Sequence, residues 1–307
     1  MRNLLPILTV LIAIVALWYA AAVPMNIAQS ITLGKKDGLD VSAPDSVGDL
    51  AAASKIGLAV RNPNVWGYSF DQKRPRLPAP HQIGEELKKT VFDKKITSKR
   101  SLVFHGIITL RSTLYGFVLG VSLGIAMAVA VVYSRTAQMS LMPWAVISQT
   151  IPIVAIAPMI IVVIGAIGIE GRELSKAIIS AYLCFFPVLV GMVKGLRAPD
   201  AMQLDLLRTY GTSGWQTFWK LRLPASMPYL FTSLKIGIAA ALVGTIVGEL
   251  PAGAIKGLGA RILIGDQFGN PLMVWSALIA AACLAGALVT VVAVLQTITL
   301  KRMGFAR

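Results

Sequence analysis

The chain has 307 residues, 56% of them hydrophobic and only 14% charged, with a mean hydropathy of +0.71, which excludes an ordinary water-soluble domain, where about a quarter of residues are charged. The formal charge of +15 does not mark a nucleic-acid binder, because the 29 Lys and Arg form no basic face with interleaved aromatics and sit between long uncharged runs, as topology determinants do. Cys184 and Cys283 lie inside apolar runs, far from His81 and His105, so they are read as small buried hydrophobes rather than a disulfide or a metal-ligand set, and no redox compartment follows.

Leu4 to Val23 is an uncharged run preceded by Arg2, about the length a helix needs to cross a hydrocarbon core roughly 30 Å thick. A cleaved signal peptide is the competing reading, with Ala20, Ala21 and Ala22 mimicking a cleavage site. The run is longer than the roughly 7–15 residues of a signal core, so 1–23 is read as an uncleaved first transmembrane helix. Residues 24–100 then hold 13 of the 29 basic and eight of the 14 acidic residues, with turn formers Pro44, Gly48, Pro63, Gly67, Pro75, Pro78 and Pro80. Such a segment does not lie in lipid and is placed outside. Within it, Ile83 to Phe92 predicts a short amphipathic helix with Ile83, Leu87 and Val91 on one face. The part before that helix reads as an insertion or lid, and Glu85 and Glu86 as a solvated helix face.

A second span lies between Arg111 and Arg135, with Gly116, Gly120 and Gly124 at four-residue spacing giving a small-residue face for close helix packing. The next uncharged run begins after Arg135 and is broken by Pro143, Pro152 and Pro158 around Ser148, Gln149 and Thr150. It is read as one helix with a proline-modified entrance, whose polar trio either bonds neighbouring helices or lines the path of a solute. Ala177 to Val193 is the fourth span, bounded by Lys176 and Lys194. A basic, polar stretch from Arg197 to Met227 follows, then a fifth span from about Tyr229 to Leu250 and a sixth from about Met273 to Ile298. Glu249, at the outer end of the fifth, either gates the outer mouth or is an interface carboxylate.

Six spans put both termini on one side. With the termini inside, the inner segments carry ten basic residues: Arg2, Arg135, Lys194, Arg197, Arg208, Lys220, Arg222, Lys301, Arg302 and Arg307. The short outer loops carry four, Arg172, Lys176, Lys256 and Arg261, so cytoplasmic termini are expected.

The stretch Asp205-Leu206-Leu207-Arg208-Thr209-Tyr210-Gly211, nine residues to Lys220, and Leu221-Arg222-Leu223-Pro224 carries the mechanism. Asp205 to Tyr210 is compatible with a helix that Gly211 closes in the left-handed conformation, and Thr212 or Ser213 caps the next one. In that second helix Trp215, Phe218, Trp219 and Arg222 share a side until Pro224 stops it. The aromatic stripe is either a membrane-surface anchor or a knob for a cytoplasmic partner, and the flanking Gly and Leu-Arg-Leu-Pro favour the partner.

This stretch resembles the Glu-Ala-Ala loop of binding-protein-dependent ABC importer permeases: an acid, a Gly six positions on, and an aliphatic-x-Leu-Pro ending after a nine-residue spacer. Asp205 stands for the usual Glu, and Leu206 and Leu207 for the paired Ala. The resemblance runs from about Leu77 to Gly304 and is strongest to the nitrate, sulfonate and taurine branch. It is carried by Leu77-Pro78-Ala79-Pro80, Gln149-Thr150-Ile151-Pro152 with Ala157-Pro158, and Gly248-Glu249-Leu250; residues 24–76 fall outside it.

The resemblance implies an all-α integral membrane protein of about six transmembrane helices, like a type I ABC importer permease, with a long polar segment after the first helix. Residues 101–304 would be the core and about 197–228 its cytoplasmic coupling loop. The ATPase-coupling residues would be Asp205, Gly211, Trp215, Phe218, Trp219, Leu221, Leu223 and Pro224. The translocation path would draw on Ser148, Gln149, Thr150, Pro152 and Glu249. The implied partners are cytoplasmic ATP-binding subunits, an extracytoplasmic solute-binding protein and membrane lipid, in a bacterial inner membrane. One chain with six spans and one loop implies a dimer, expected to be a homodimer. No Gly-rich phosphate loop ending in Lys-Ser or Lys-Thr occurs, so no cofactor and no catalysis are expected here, ATP being used by the partner. The rivals are an ion-coupled secondary carrier, which calls for inverted repeats and midplane acids, and a non-transporting scaffold.

Overall fold

Helix α1 runs from Leu4 to Lys36, beyond Val23 where the sequence reading ends it, because its two halves meet different surroundings. Leu5, Leu8, Leu11, Ile12 and Leu17 are exposed, as lipid-facing residues are. Val23, Ile27 and Ile31, at helical spacing in the second half, are buried under a cap made by the same polar segment. A computed structural model describes residues 4–44, 46–168, 172–251 and 255–305, so Arg2 and Arg307 lie outside the described residues. Two compact units emerge: Met1–Val103 with Arg261–Ala280, and Phe104–Ala260 with Ala281–Arg307.

In the first unit, α2 (Val47–Ala52), α3 (Lys55–Arg61) and two 3₁₀ turns, Pro63–Val65 and Gly67–Ser69, pack Leu50, Leu58, Ala59 and Val65 onto α1. Asn26 of α1 is buried with all four of its hydrogen-bonding capacities used. Its Nδ2 donates to the carbonyls of Ser69 (2.9 Å) and Leu77 (2.8 Å), and its Oδ1 accepts from the amides of Arg76 (2.8 Å) and Leu77 (3.1 Å). A loop without secondary structure of its own is thereby sewn to the helix. Helix α4 (Pro80–Val91) follows, burying Ile83 as its amphipathic pattern predicts. Where α1 passes from exposed to buried, Trp18 donates to the Pro78 carbonyl at 3.0 Å and packs at a tilt against the Trp275 ring, and Tyr19 meets His81 at 3.0 Å. Trp and Tyr are the side chains enriched where a membrane meets water.

The second unit is built on α5 (Leu102–Tyr133), α8 (Arg172–Leu196) and α11 (Leu223–Glu249), with α6 (Arg135–Ser148), α7 (Ile153–Ala166), α9 (Ala201–Thr209) and α10 (Gly214–Thr217) between them. The chain closes with α12 (Leu258–Gln267) and α13 (Pro271–Arg302). Regular structure among the described residues is entirely helical. Helix α8 sits between two glycine faces. A Cβ on Gly120 or Gly124 of α5 would lie 2.9 Å from the Ala181 carbonyl or 2.7 Å from that of Phe185; one on Gly244 of α11 would lie 2.8 Å from Ser180 Cα. The helices therefore touch backbone to backbone, which bilayer packing favours when small residues line both sides.

Two expectations about this unit are corrected. The third span is not one helix: α6 and α7 meet at 104°, with the break at Gln149–Pro152. A residue before proline is pushed out of the helical region, and Pro152, extended at ψ 122°, caps α7. Among the described residues, five helices are long and apolar enough to cross a membrane, and the bent pair supplies a sixth crossing only if it counts as one span. Likewise, Cys184 is buried as expected but Cys283, on α13, is exposed.

Candidate functional site

At one end of the second unit, Asp200 starts α9, which Gly211 ends at φ +68°, and the Ser213 hydroxyl accepts the Gln216 amide to start α10. The two short helices expected from the Gly and the Ser are both present. Asp205 is exposed and pairs with its neighbour Arg208 at 3.1 Å, an arrangement that contributes at most about 1 kcal/mol. Trp215 and Trp219 are exposed and pack edge to face. Phe218 turns inward against Tyr133, and Arg222 donates to the Leu196 carbonyl at 2.9 Å and lies over the Tyr133 ring. The predicted stripe is thus divided: two indoles face out, while Phe218 and Arg222 fix the loop to α5 and α8.

Pro224 does not stop the helix, contrary to the sequence reading. From α10 the chain passes through a π turn, Phe218–Arg222, in which the Leu223 amide bonds the Phe218 carbonyl, and enters α11 without a break. Pro224 falls in the first turn of α11, where its fixed φ suits a helix and its missing N–H costs little. Leu221 and Pro224 are half-buried in this continuous segment, and Leu223 packs on the apolar core. Gly214–Glu249 is one rod.

The polar residues of the bent pair are bonded locally. Ser148 is buried and donates to the Ala145 carbonyl at 2.8 Å, Gln149 donates to Ser148 at 3.3 Å, and exposed Thr150 donates to the Ile147 carbonyl at 2.8 Å. Tyr182 of α8 donates to the Ser148 carbonyl, so the break freed by Pro152 is held by α8. These bonds favour a structural role for Ser148 over a solute-lining one, and leave Thr150 and Pro152 open to the surroundings.

At the other end of the rod stands Glu249, fully buried. Both its oxygens lie 3.0 Å from the Thr109 hydroxyl, Oε2 accepts the Gly259 amide at 2.9 Å, and Oε1 is 3.6 Å from Lys176 Nζ. Lys176 also reaches Glu173 at 3.5 Å, and Glu173 accepts from Ser112 at 2.6 Å. The Thr109 oxygen accepts the Leu258 amide at 2.9 Å and His105 Nδ1 the Gly257 amide at 3.0 Å. Lys176, read from sequence as an outer-loop charge bounding the fourth span, is instead a buried ion-pair partner inside α8; removing it from the four outer charges leaves three (4 − 1) against ten. Glu249 is neither an open gate nor an interface carboxylate in this conformation. Thr109, His105, Lys176, Gly257 and Gly259 escaped the sequence reading. The Gly257-Leu258-Gly259 triplet was the one local sign of them.

Residues 120–305 match the family described as binding-protein-dependent transport system inner membrane component. An ABC transporter permease protein of Haemophilus influenzae is 33% identical over 183 residues, covering 60% of this chain and 69% of that one. The formylaminopyrimidine transport permease protein ThiX of Halalkalibacterium halodurans is 32% identical over 198 residues, 64% of this chain and 73% of that one. The aliphatic sulfonates transport permease protein SsuC of Bacillus subtilis is 27% identical over 186 residues, 61% and 65% of the two chains.

Proposed function

The chain belongs to the family of binding-protein-dependent transport system inner membrane components, and from that premise we propose that it is the permease of an ATP-driven importer, working as a homodimer with two cytoplasmic ATP-binding subunits and an outer solute-binding protein. The observation that supports this most is the unbroken helix from the exposed Trp215 and Trp219 to the membrane core. An exposed aromatic knob on a flexible loop would transmit nothing; one rigidly continuous with a 27-residue helix turns partner closure into motion of the core. ATP is hydrolysed by the partner, so the purified chain alone should show no ATPase. Activity should appear on co-expression with its ATP-binding subunit and rise on adding loaded binding protein; hydrolysis by the isolated chain would refute the reading. The relatives are named for a formylaminopyrimidine and for aliphatic sulfonates, and the solute proposed here is a small organic molecule or anion selected mainly by the binding protein.

Termini inside and the cap outside complete the proposal, and the bent pair makes it testable. If α6 and α7 together form one crossing, residues 71 and 202 lie on opposite sides; if the pair turns back, they lie on the same side. Asp71 and Met202 are exposed, whereas Ser69 is buried and unsuitable for labelling. In a background lacking Cys283, Asp71→Cys should react with an impermeant maleimide from outside and Met202→Cys only after the membrane is opened. Equal reaction of both from outside would mean five crossings.

A further inference from the structure

The N-terminus of a helix leaves backbone N–H groups without partners inside the helix. At α12 three consecutive ones are taken by side chains of two other helices: Gly257 by His105 and Leu258 by Thr109, both of α5, and Gly259 by Glu249 of α11. Glu249 is in turn paired with Lys176 of α8. The fit dictates the local sequence. Gly257 has φ +120°, and a Cβ there would run into the Glu249 carboxylate; a Cβ on Gly259 would stand 2.5 Å from the Ile246 carbonyl. A buried carboxylate at a helix start is doubly favoured, by the amides it accepts and by the positive end of the helix dipole.

These contacts involve all three helices that the glycine faces lock together, and one of the three, α11, is continuous with the exposed loop about 39 Å away along its axis, at about 1.5 Å per residue. We infer that the Glu249, Thr109, His105 and Lys176 cluster is a transmission joint, which makes the start of α12 travel with the α5–α8–α11 block when that block is moved from the loop end. Glu249 is a positioning residue here, acting through backbone amides. The inference rests on the proposed coupling function and adds to it a defined route by which motion leaves the block on the side away from the ATP-binding subunits.

The test uses the full complex of permease with its ATP-binding subunit, carrying Gln267→Cys on the exposed end of α12 in a background lacking Cys283. Its reaction rate with an impermeant maleimide is measured without nucleotide and after trapping with ATP and vanadate. The wild-type joint should give at least about a fivefold difference between the two states. Glu249→Gln, which keeps the shape but loses the charge paired to Lys176, should bring the difference within about twofold while basal ATPase stays unchanged. Thr109→Val, which removes the hydroxyl shared by Glu249 and the Leu258 amide, should do the same and replaces Glu249→Gln if that variant is not recovered. A joint that merely stabilised the fold would change abundance and leave this ratio alone. Variants that retain the wild-type ratio overturn the inference, as does a wild-type complex whose ATPase responds to binding protein but whose Gln267→Cys rate does not change. A wild-type complex with no ATPase at all fails earlier, in the coupling reading itself.

Discussion

Replacing Gly116 by leucine should remove most of the chain from the membrane fraction, while Gly106→Ala on the same helix leaves its abundance unchanged. At Gly116 even a Cβ runs into the Ser180 side chain and lies 2.7 Å from the Ala177 carbonyl, a backbone atom with no rotamer to yield. Leucine adds three more carbons, so α5 must separate from α8, exposing the polar groups that Ser180 and its neighbours now bury. Overpacking of a well-filled core costs about 1–3 kcal/mol. Here it compounds over Gly120 and Gly124 of the same face, and marginal stability leaves little margin. Gly106 meets nothing within 4 Å, and alanine there gains about 0.5–1 kcal/mol of helix preference. Abundance by immunoblot and retention of a monodisperse peak on heating in detergent decide the matter. Equal behaviour of the two variants would mean that α5 and α8 are not in the contact described.

Gly211→Val should leave membrane abundance intact and reduce the binding-protein-stimulated ATPase of the assembled complex about tenfold. Gly211 ends α9 at φ +68°, and a Cβ there touches nothing. The cost is therefore conformational alone: about 1–2 kcal/mol for placing an L side chain in the left-handed region, where 1.4 kcal/mol is a factor of ten. Relaxation of that strain swings α9 away from α10 and separates Asp205 from the Trp215 and Trp219 knob. Gly211→Asn, which tolerates this conformation, should retain most of the response. If valine and asparagine behave alike at wild-type level, the left-handed turn is irrelevant to coupling and the aromatics regain their alternative role as a surface anchor.

Local patterns carried the sequence reading far along the chain. The glycine spacing of α5, the helix, glycine and serine order of the 205–217 loop, and the amphipathic pattern of α4 are each written within one or two turns of chain. Meanings that depend on distant partners were not legible. Glu249 is a lone acid in sequence because the threonine that holds it is 140 residues away. Lys176 looks like a loop charge because charged residues so often bound spans, and only the packing of α11 shows it buried. The prolines misled in opposite directions: Pro152 breaks a helix that the uncharged run suggests is whole, and Pro224 opens a helix it was expected to close. In each case the residue type is permissive, and its position relative to the hydrogen-bonding frame decides the outcome.

The π turn at Phe218–Arg222 has a bearing on how such a loop is exchanged between proteins. A π turn carries one residue more than an α turn, so deleting any one of its five residues would restore ordinary spacing and keep the rod intact. Everything on the loop side would also keep nearly the same facing relative to α11, because the wide turn takes up its extra residue locally and sweeps about as far as an α turn one residue shorter. A residue removed from the regular part of α11 would instead turn Trp215 and Trp219 by about 100°, with their chemistry intact and their direction changed. The π turn is thus the place where the loop tolerates a change of length, while the direction in which the knob is offered is a phase angle set by the residue count of α11 beyond it.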